Sequence, residues 1–488
     1  MRTGKDQPKP RRYLSSKAKA NKAKGRSAPP SLSHLPPLAV MIDRLGARGD
    51  GLAIITDDAA EVSDQGNIRE QRLFVPNALP GEAMTVQPRR QWPHGIEAKI
   101  LNIQSPSPYR KTPDCDVSST CGGCQFQHMD LAFYQDWKEQ QVAEFLAMAG
   151  IVPQKWLPPF RATSQSRRRA RFAWQTRKQK LALGFRGRHS HDISPLTGCV
   201  ILHPKLMQGY HLMRDHLLPL LASQNGRDKT GEVEILLCDN GLDVVLRLDA
   251  PLSRAEMTAL IAATGSDAAT SIARLSLVLH DDEPELVFQH DTPVIAWPMP
   301  DGASRDHLPF APPAGGFMQS VAEAETIMRQ DCFDALKGMA KVVDLFSGAG
   351  SLGLPLAFAS PPPKQIAAYD VSAPAISALQ TMIRTAAPDL PLHLKAKARN
   401  LFSDPLSLSE LRAFDGAIID PPRSGAGRQM PLLAASGIKR LVMVSCDMKS
   451  FAKDAEMLIR AGYQCRWARH VDQFLLTPHS ELVACFEK

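Results

Sequence analysis

The stretch VVDLFSGAGSLG, residues 342–353, decides the fold of the C-terminal part of the chain. An apolar strand runs here into three glycines spaced as G-x-G-x-x-G, namely Gly348, Gly350 and Gly353. Glycines in this position let the backbone turn sharply and approach a ligand closely. Asp370 ends the next apolar segment, where a carboxylate can accept hydrogen bonds from ribose hydroxyls. Together these features predict a nucleoside-binding site, and alone they do not separate nicotinamide from S-adenosylmethionine.

Apolar segments of strand length continue outward from this stretch and alternate with segments of helix length. They read IAAYD, LHLKAKA, GAIID, LVMVS and ELVACFE, all between residues 366 and 487. This alternation predicts a parallel, doubly wound α/β sheet whose ligands lie at the carboxyl ends of its strands.

Two acidic features favour S-adenosylmethionine over a nicotinamide cofactor. Asp344 lies inside the first strand, four residues before Gly348, which would place a carboxylate near the cationic part of S-adenosylmethionine. The sequence DPPR at residues 420–423 ends another strand at the same expected edge, and a dehydrogenase has no obvious use for it. The alternative that Asp344 and Asp370 are ordinary turn carboxylates stays open.

A cysteine and a glutamate are expected at this same edge. The strand LVMVS ends next to Cys446, and the sequence HSE precedes the last strand with Glu481 as its third residue. Carbon 5 of uracil is a weak nucleophile, but addition of a thiolate to carbon 6 turns the ring into an enolate. A base must then remove the carbon-5 proton. Cys446 is the candidate nucleophile and Glu481 the candidate base, although a free cysteine is often only a small core residue.

The first 300 residues are predicted to be mostly β-structure. Five short strands between residues 38 and 103 predict a small β-barrel. A helix is expected over residues 131–149, and Asn240-Gly241 predicts a hairpin inside a β-rich stretch. Residues 298–316 are rich in Pro and Gly and are interpreted as a linker. The apolar face of the helix is predicted to consist of Phe133, Trp137, Phe145 and Leu146.

The net charge of +8 is distributed unevenly along the 488 residues. Residues 1–30 contain ten Lys or Arg and one acidic residue, which predicts a disordered tail that either binds phosphates or only aids solubility. Residues 161–188 contain ten more Lys or Arg and no Asp or Glu. Because Phe172, Trp174 and Phe185 are interleaved with them, this stretch predicts a surface for single-stranded RNA, with an ordinary solvated strand pair as the alternative.

Nine cysteines and no long apolar segment predict a soluble, cytoplasmic, non-exported protein rather than a disulfide-stabilised one. Four of the cysteines are candidate metal ligands, and four others are expected in the core (Cys238, Cys332, Cys465 and Cys485). The candidate ligands suit zinc or a [4Fe–4S] cluster, and unligated thiols are a third alternative. These ligands are Cys115, Cys121, Cys124 and Cys199.

From residue 38 to 488 the chain resembles the RNA uracil-5-methyltransferase family, in particular its 23S ribosomal RNA branch with a TRAM domain and an iron–sulfur centre. DLFSGAGSLGLPLA is similar to the family's first cofactor motif and DPPRSGAG to its fourth. VSCDMKSFAKD resembles the segment with the nucleophile, and the C-terminal HSE the segment with the base. The resemblance implies a class I Rossmann-like α/β methyltransferase domain preceded by a TRAM/OB-like barrel and a β-rich central domain.

The resemblance also implies roles for individual residues. Cys446 would be the nucleophile and Glu481 the base, and the four candidate cysteines would hold a [4Fe–4S] cluster. Three positions depart from the family pattern: Val321 and Asp447 stand where Asn is usual, and Ser347 where Cys is frequent. The resemblance implies contacts to S-adenosylmethionine from Gln319, Phe346, Ser351, Asp370, Asn400 and Asp420. The position of the glycine loop and its acidic strand end adds Asp344, Gly348 and Gly350 to these candidates.

Four segments are expected from these observations: a basic tail (1–35), a TRAM-like barrel (36–105), a central domain with the cysteines and the RNA surface (106–300), and the methyltransferase domain (317–488). The predicted enzyme is a monomer that modifies RNA, ribosomal RNA first and transfer RNA as the alternative. Two further alternatives stay open, an NAD-dependent oxidoreductase and a non-catalytic RNA-binding or assembly factor.

Overall fold

The computed structural model describes residues 29–55, 62–63, 66–67, 72–178, 180–188, 190–221, 228–280, 282–386 and 393–488. The prediction of a basic disordered tail falls mostly on residues 1–28, which lie outside this range. Within these ranges the chain divides into two compact units, one within residues 29–46 and 50–107 and the other within residues 47–49 and 108–488. No helix within the described ranges is long and apolar enough to cross a membrane.

The first unit is a closed five-stranded barrel, as its strand pattern predicted. Its strands are β1 (Leu38–Leu45), β2 (Gly51–Ile55), β5 (Leu73–Val75), β6 (Ala83–Trp92) and β7 (Gly95–Ser105), and a short pair β3 (Val62–Ser63) and β4 (Gly66–Asn67) lies between β2 and β5 in the sequence. In β1 the side chains of Leu38, Val40 and Ile42 alternate with exposed ones and point into the barrel core. The alternation that predicted strands therefore also closes the barrel around an apolar interior.

A seven-stranded sheet forms the β-rich middle of the second unit. Its order is β12 (Ile193–Pro195), β11 (Lys180–Arg186), β10 (Arg169–Arg177), β13 (Thr230–Cys238), β14 (Gly241–Leu248), β15 (Ile272–Leu279) and β16 (Glu285–Gln289). Helices α2 (Pro204–Leu212) and α3 (Arg254–Thr264) accompany it. The predicted hairpin exists, with Asp239 and Asn240 as its turn and Gly241, at φ 142°, as the first residue of the returning strand.

The predicted linker is partly ordered as a second small sheet. Strands β17 (Ile295–Pro298) and β18 (His307–Phe310) pair there in antiparallel fashion. Trp297 and Phe310 stack at a centroid distance of 4.5 Å and are buried, so this segment contributes to the core. Interpreting residues 298–316 purely as a linker was wrong, because Phe310 within the segment is buried and stacks on Trp297, which immediately precedes it.

A nine-stranded, mostly parallel sheet carries the C-terminal part. Its order is β21 (His393–Ala398), β20 (Gln365–Asp370), β19 (Lys341–Leu345), β22 (Gly416–Ile419), β23 (Arg440–Ser445), β25 (Glu481–Glu487), β24 (Gln464–Asp472) and β8 (Lys155–Trp156), with β9 (Phe160–Arg161) also on β24. Strand β25 runs antiparallel to both its neighbours. The remaining helices are α1 (Leu131–Met148), α4 (Ala322–Leu336), α5 (Ala373–Ala386), α6 (Leu408–Leu411), α7 (Gln429–Ala435) and α8 (Met448–Arg460).

The predicted fold class, a doubly wound α/β sheet with an N-terminal barrel and a β-rich middle, is confirmed. The bounds of the four predicted segments stay a prediction. Helix α1 and strands β8 and β9 precede the β-rich sheet in the sequence, yet they pack on the nine-stranded sheet.

Helix α1 lies where it was predicted, but its buried face is different. The fully buried side chains are Tyr134, Lys138, Val142 and Leu146, spaced four residues apart. Of the predicted apolar face only Leu146 is fully buried, because Phe133, Trp137 and Phe145 are half-exposed. A lysine is buried in this stripe because a partner from the distant C-terminal part neutralises it.

Candidate active site

The carboxyl ends of four neighbouring parallel strands carry the predicted functional residues. Strands β20, β19, β22 and β23 are adjacent and point the same way. Asp370 ends β20, Asp344 lies near the end of β19, Asp420 follows β22 and Cys446 follows β23. The topology therefore brings these four side chains to one edge, as the alternating pattern predicted.

The glycine loop after β19 has left-handed backbone at Phe346 (φ 61°), Gly348 (54°) and Gly350 (81°). A Cβ atom on Gly350 would lie 2.8 Å from the side chain of Leu379, so the turn requires glycine there. The backbone N–H of Gly348 donates to Oδ2 of Asp370 at 2.9 Å, which joins the loop to the end of β20. The helix expected after the loop is only one short 3₁₀ segment, residues 354–358.

Asp344 is buried behind this loop, with 1% of its surface exposed. A Cβ atom on Gly353 would lie 2.4 Å from Oδ2 of Asp344, so the loop can pass the carboxylate only with glycine at that position. Oδ2 has no hydrogen-bond partner among the described residues. Burial, followed by the charges of Asp420 and Asp370, raises the pKa of Asp344 well above its usual value. A hydrogen bond from the backbone N–H of Gly353 acts in the opposite direction. A buried carboxylate with one unpartnered oxygen suits a cationic ligand, as expected for the sulfonium or amino group of S-adenosylmethionine.

Cys446 and Glu481 come together through strand pairing. In the antiparallel pair of β23 and β25, Ser445 lies opposite Leu482. Cys446 follows Ser445 and Glu481 precedes Leu482, so both residues lie at the same end of the strand pair. Burial, followed by the charge of Glu481, raises the pKa of the Cys446 thiol to about 11. The guanidinium of Arg423 acts in the opposite direction and hydrogen-bonds the sulfur. The thiol therefore lies between a carboxylate and a cation.

Glu481 is 3% exposed. Burial, followed by the charge of Asp420, raises its pKa to about 8, while a hydrogen bond from Gln473 and the charge of Arg423 favour the ionised form. Burial, followed by Asp370, raises the pKa of Asp420 to about 7. Acids with pKa values close to neutral are suited to proton transfer in enzymes.

A glutamine that the sequence analysis missed connects two of the predicted residues. Nε2 of Gln473 donates to Oε1 of Gln319 and to Oε2 of Glu481, each at 2.8 Å. All three side chains are buried. No motif in the sequence indicates Gln473, because it follows strand β24, which the apolar pattern did not predict.

Three other predicted cofactor residues lie around the glycine loop. The ring of Phe346 contacts that of Phe402 at a centroid distance of 5.5 Å. Oδ1 of Asn400 accepts backbone N–H bonds from Phe402 and Ser403 at 3.0 and 3.3 Å, so this side chain shapes the loop after β21. Ser351 is half-buried, and its carbonyl accepts a bond from Nε of Arg329 at 3.0 Å.

The three departures from the family pattern lie at different places, and Asp447 has a clear structural role. Val321 is buried at the start of α4, where it makes no side-chain cap. Asp447 caps α8, its Oδ1 accepting from the backbone N–H of Ser450 at 2.9 Å. Oγ of Ser347 is buried without a partner among the described residues. Asp447 thus keeps the capping function that Asn would also provide.

The interpretation of residues 161–188 as an RNA-stacking surface was partly wrong. Phe172 and Trp174 are fully buried in the core of the seven-stranded sheet, where bases cannot reach them. The arginines on the opposite face, Arg169 and Arg171, form ion pairs with Glu234. The acidic partners that the stretch itself lacks are supplied by a neighbouring strand.

A cleft nevertheless opens between this stretch and the active site. Its walls come from the cysteine loop, the segment before β10, the loop after β22 and the segment between β24 and β25. One of its lining residues, Arg423, also acts on the thiol of Cys446. Its polar lining includes Gln125, Thr163, Arg167, Arg423, Gln473 and His479.

The four candidate metal ligands are half-buried free thiols. The pKa of Cys124 is raised to about 12 by burial first and then by the neighbouring charges of Cys199, Cys121 and Cys115, so the four lie near one another. Among the described residues, however, no three His, Cys, Asp or Glu side chains are arranged closely enough to hold a metal ion. The chemistry of the donor set fits a four-thiolate centre, while the positions of the thiols here do not close one. The four cysteines predicted to be core residues are buried.

Comparisons with known proteins agree with this geometry. No family model matches the chain. The chain is 33% identical over 456 residues to an "Uncharacterized RNA methyltransferase" of Caulobacter vibrioides, covering 92% of this chain and 99% of that protein. It is 30% identical over 485 residues to the "23S rRNA (uracil(1939)-C(5))-methyltransferase RlmD" of Shewanella amazonensis, covering 96% and 98%.

Among solved structures, the fold matches the Pyrococcus abyssi tRNA (uracil-54, C5)-methyltransferase in complex with S-adenosyl-L-homocysteine. The TM-score is 0.68 at 18% identity, and the match covers 92% of this chain and 99% of that one. The likeness of fold and the near-complete alignment with relatives at 30% identity or more lead to one conclusion: the protein belongs to the RNA uracil-5-methyltransferase family.

Proposed function

We propose that this enzyme methylates carbon 5 of a uridine in 23S ribosomal RNA. The observation that carries the proposal is the meeting of Cys446 and Glu481 at the strand edge that also holds the glycine loop. The named activity of the Shewanella amazonensis relative supports ribosomal RNA as the substrate. We further propose that the enzyme acts in the cytoplasm as a monomer.

The reaction follows from the positions of these residues. The thiolate of Cys446 bonds to carbon 6, and the electron pair of the 5,6 double bond moves to give an enolate with a nucleophilic carbon 5. Bound S-adenosylmethionine supplies a methyl group on a positively charged sulfur. Once carbon 5 is methylated, Glu481 removes its proton, and the electrons of that C–H bond re-form the double bond and expel the thiolate.

The residues around the glycine loop would hold S-adenosylmethionine. Asp370 would accept from the ribose hydroxyls, and the unpartnered Oδ2 of Asp344 would face the positive charge of the ligand. The other proposed contacts come from Phe346, Gly348, Gly350, Ser351, Asn400, Asp420 and Gln319.

The RNA would enter through the cleft beside Arg423. Arg167 and Arg423 line it from opposite elements, and phosphates are the natural partners of paired guanidinium groups. The N-terminal barrel would act as a TRAM-like domain that adds RNA contacts of its own.

We further propose that Cys115, Cys121, Cys124 and Cys199 hold a [4Fe–4S] cluster. The mutual proximity of four half-buried thiols supports a metal centre, and the resemblance favours iron–sulfur over zinc. Methyl transfer needs no electron, so the cluster would be structural. Anaerobic purification should give about four iron atoms per chain with broad visible absorbance; stoichiometric zinc, or no metal at all, would overturn this assignment.

Substitution of the nucleophile tests the proposed function. Cys446→Ala should abolish 5-methyluridine formation on 23S ribosomal RNA while S-adenosylmethionine binding, measured by calorimetry, stays near normal. Retained methylation would refute the role of Cys446. The alternatives have their own outcomes: tighter binding of NAD than of S-adenosylmethionine would indicate an oxidoreductase, and binding of RNA without turnover by the wild type would indicate an assembly factor.

Transfer RNA is the second candidate substrate. Its support is the solved structure with the same fold, which is named for a transfer RNA uridine. Mapping of 5-methyluridine in both RNAs from a deletion strain decides between the two. Loss of the mark from ribosomal RNA alone is the result we expect.

A further inference from the structure

Gln473 occupies a central place between residues of the proposed site, and neither a motif nor the family resemblance assigns it a role. It is 3% exposed and lies in the segment between β24 and β25. Its Nε2 donates to Gln319 and to Glu481, and its Oε1 accepts from the backbone N–H of Ser320 at 3.2 Å.

Both donors and the carbonyl of this amide have hydrogen-bond partners. A primary amide has two N–H donors and one carbonyl. Because the backbone N–H of Ser320 can only donate, it fixes which end of the Gln473 amide is the carbonyl. The two N–H groups must then point at Gln319 and Glu481, so the orientation of the amide is determined by the backbone.

The orientation of the Gln473 amide determines which atoms of Gln319 and Glu481 remain free to bond other groups. Oε1 of Gln319 is engaged by Gln473, which leaves the Nε2 end of Gln319 as its donor. Oε2 of Glu481 is engaged as well, which leaves Oε1 to receive a proton. We propose that Gln473 is a positioning residue that fixes, with its two N–H groups, the carboxylate of the base Glu481 and the amide of Gln319. The proposal rests on the proposed function, since it assumes that Glu481 removes the carbon-5 proton.

The backbone next to Gln473 is anchored independently of its side chain. The preceding residue, Asp472, accepts from Nζ of Lys138 at 2.6 Å and from the hydroxyl of Tyr134 at 2.7 Å, and all three are buried. The carbonyl of Asp472 also accepts from the N–H of Ala162 at 2.9 Å. Removing the amide of Gln473 should therefore leave the segment in place.

The bond to Glu481 has an electrostatic consequence. Asp420 and the thiol of Cys446 face the same carboxyl group, and Arg423 is the nearby cation. The bond from Gln473 favours the ionised carboxylate against burial and the charge of Asp420. Without it, the pKa of Glu481 would rise further and less of the base would be ionised at neutral pH.

The test compares Gln473→Met with a matched control, Gln429→Met. Gln429 is also fully buried, but among the described residues its amide bonds only the backbone of Leu406. We expect Gln473→Met to lower kcat by about 10- to 100-fold, part of the 100- to 10,000-fold that a general base contributes. KM for the RNA should change little, the covalent protein–RNA adduct should accumulate, and the pH profile should shift upward. Gln429→Met should show none of these changes.

A third variant separates positioning from packing. Gln473→Glu keeps a carbonyl oxygen and nearly the same shape, but it loses both donors and places a negative charge against Glu481. It should be slower than Gln473→Met, and increasingly so as the pH rises. A purely packing role predicts that Gln473→Glu is the better of the two.

Each result has a definite meaning. Gln473→Met behaving like Gln429→Met, without adduct, would overturn the proposal. If Gln473→Met does not fold, Gln473→Asn takes its place, because its amide is one methylene too short to reach both partners. Gln473→Asn should then show the same loss of kcat and the same adduct. Normal turnover by Gln473→Asn would equally overturn the proposal. A wild-type enzyme that makes no 5-methyluridine would instead contradict the proposed function.

Discussion

Replacing Glu481 with Gln should make Cys446 more reactive even though it removes the base. Glu481 is the second-largest cause of the high thiol pKa, after burial. Glutamine has the same size and no charge, and its carbonyl can still accept from Gln473. The variant therefore removes one charge from beside the sulfur and leaves the packing nearly unchanged.

The size of the effect is bounded by the thiol pKa of about 11. At pH 8 such a thiol is ~0.1% thiolate, whereas a thiol at the ordinary value of 9.0 would be ~10% thiolate, a difference of about 100-fold. A less basic thiolate is also a weaker nucleophile, and a Brønsted slope of about 0.5 cancels about 10-fold of this gain. About 10-fold is thus the ceiling, and because burial remains, we expect an increase of about two- to five-fold.

The assay is the second-order rate at which a small aromatic disulfide modifies Cys446, followed by mass spectrometry of the peptide that contains it. Glu487→Gln, at the other end of the same strand, is the matched control because Glu487 pairs with Arg440 and Arg466 instead. An unchanged or slower rate in Glu481→Gln, or an equal increase in Glu487→Gln, would refute the claim that Glu481 acts electrostatically on the thiol.

Three further outcomes follow from the buried charges. Because the pKa of Glu481 is raised to about 8, its carboxyl is protonated below that pH and becomes a base above it, so kcat/KM should rise through pH 8; a profile that is flat from about pH 6 to 9 would contradict this assignment. Asp344→Asn should raise the Kd for S-adenosylmethionine by about 10- to 100-fold in calorimetry without lowering the Tm of the free protein, since its buried carboxylate has an unpartnered oxygen there; unchanged affinity would exclude contact with the cation. Lys138→Met should lower the free energy of unfolding by about 3–5 kcal/mol in urea because Asp472 is left buried without its cation, whereas Lys337→Met, in an exposed pair, should cost less than about 1 kcal/mol. Equal effects of the two lysine variants would show that burial of the pair does not matter.

The sequence predicted elements whose apolar pattern is local. The strands of the barrel and six strands of the C-terminal sheet were found because alternation or a continuous apolar run identifies them within five to ten residues. Strand β24 (QCRWARHVD) was missed because charged residues interrupt its apolar pattern. The same alternation, applied to β10, would have placed Phe172 and Trp174 on the buried face and corrected the RNA-stacking interpretation.

Pairings between distant residues were not predictable. Lys138 is buried only because Asp472, 334 residues away in the chain, neutralises it. Glu234 likewise engages arginines that looked available for RNA. The candidate site was predictable to the same extent. Local motifs indicated Cys446, Glu481 and the glycine loop. The orientation of the Gln473 amide, in contrast, depends on the backbone N–H of Ser320, and no local sequence pattern encodes that contact.

The high thiol pKa raises the question of where the proton of Cys446 goes, and one experiment answers it. Glu481 is the carboxylate with the largest effect on the thiol pKa. A carboxyl group that has taken the thiol proton, however, can no longer remove the carbon-5 proton in the same turnover. If Glu481 took the first proton, Glu481→Gln would form no adduct with RNA. We expect the opposite, an accumulating covalent adduct, because loss of the negative charge favours the thiolate and Arg423 still hydrogen-bonds the sulfur. A denaturing gel with labelled RNA measures this directly. An accumulating adduct would show that Glu481 removes the carbon-5 proton and not the thiol proton. If both the adduct and methylation were lost, Glu481 would be the group that takes the thiol proton. It would then have to release that proton to solvent before the product leaves.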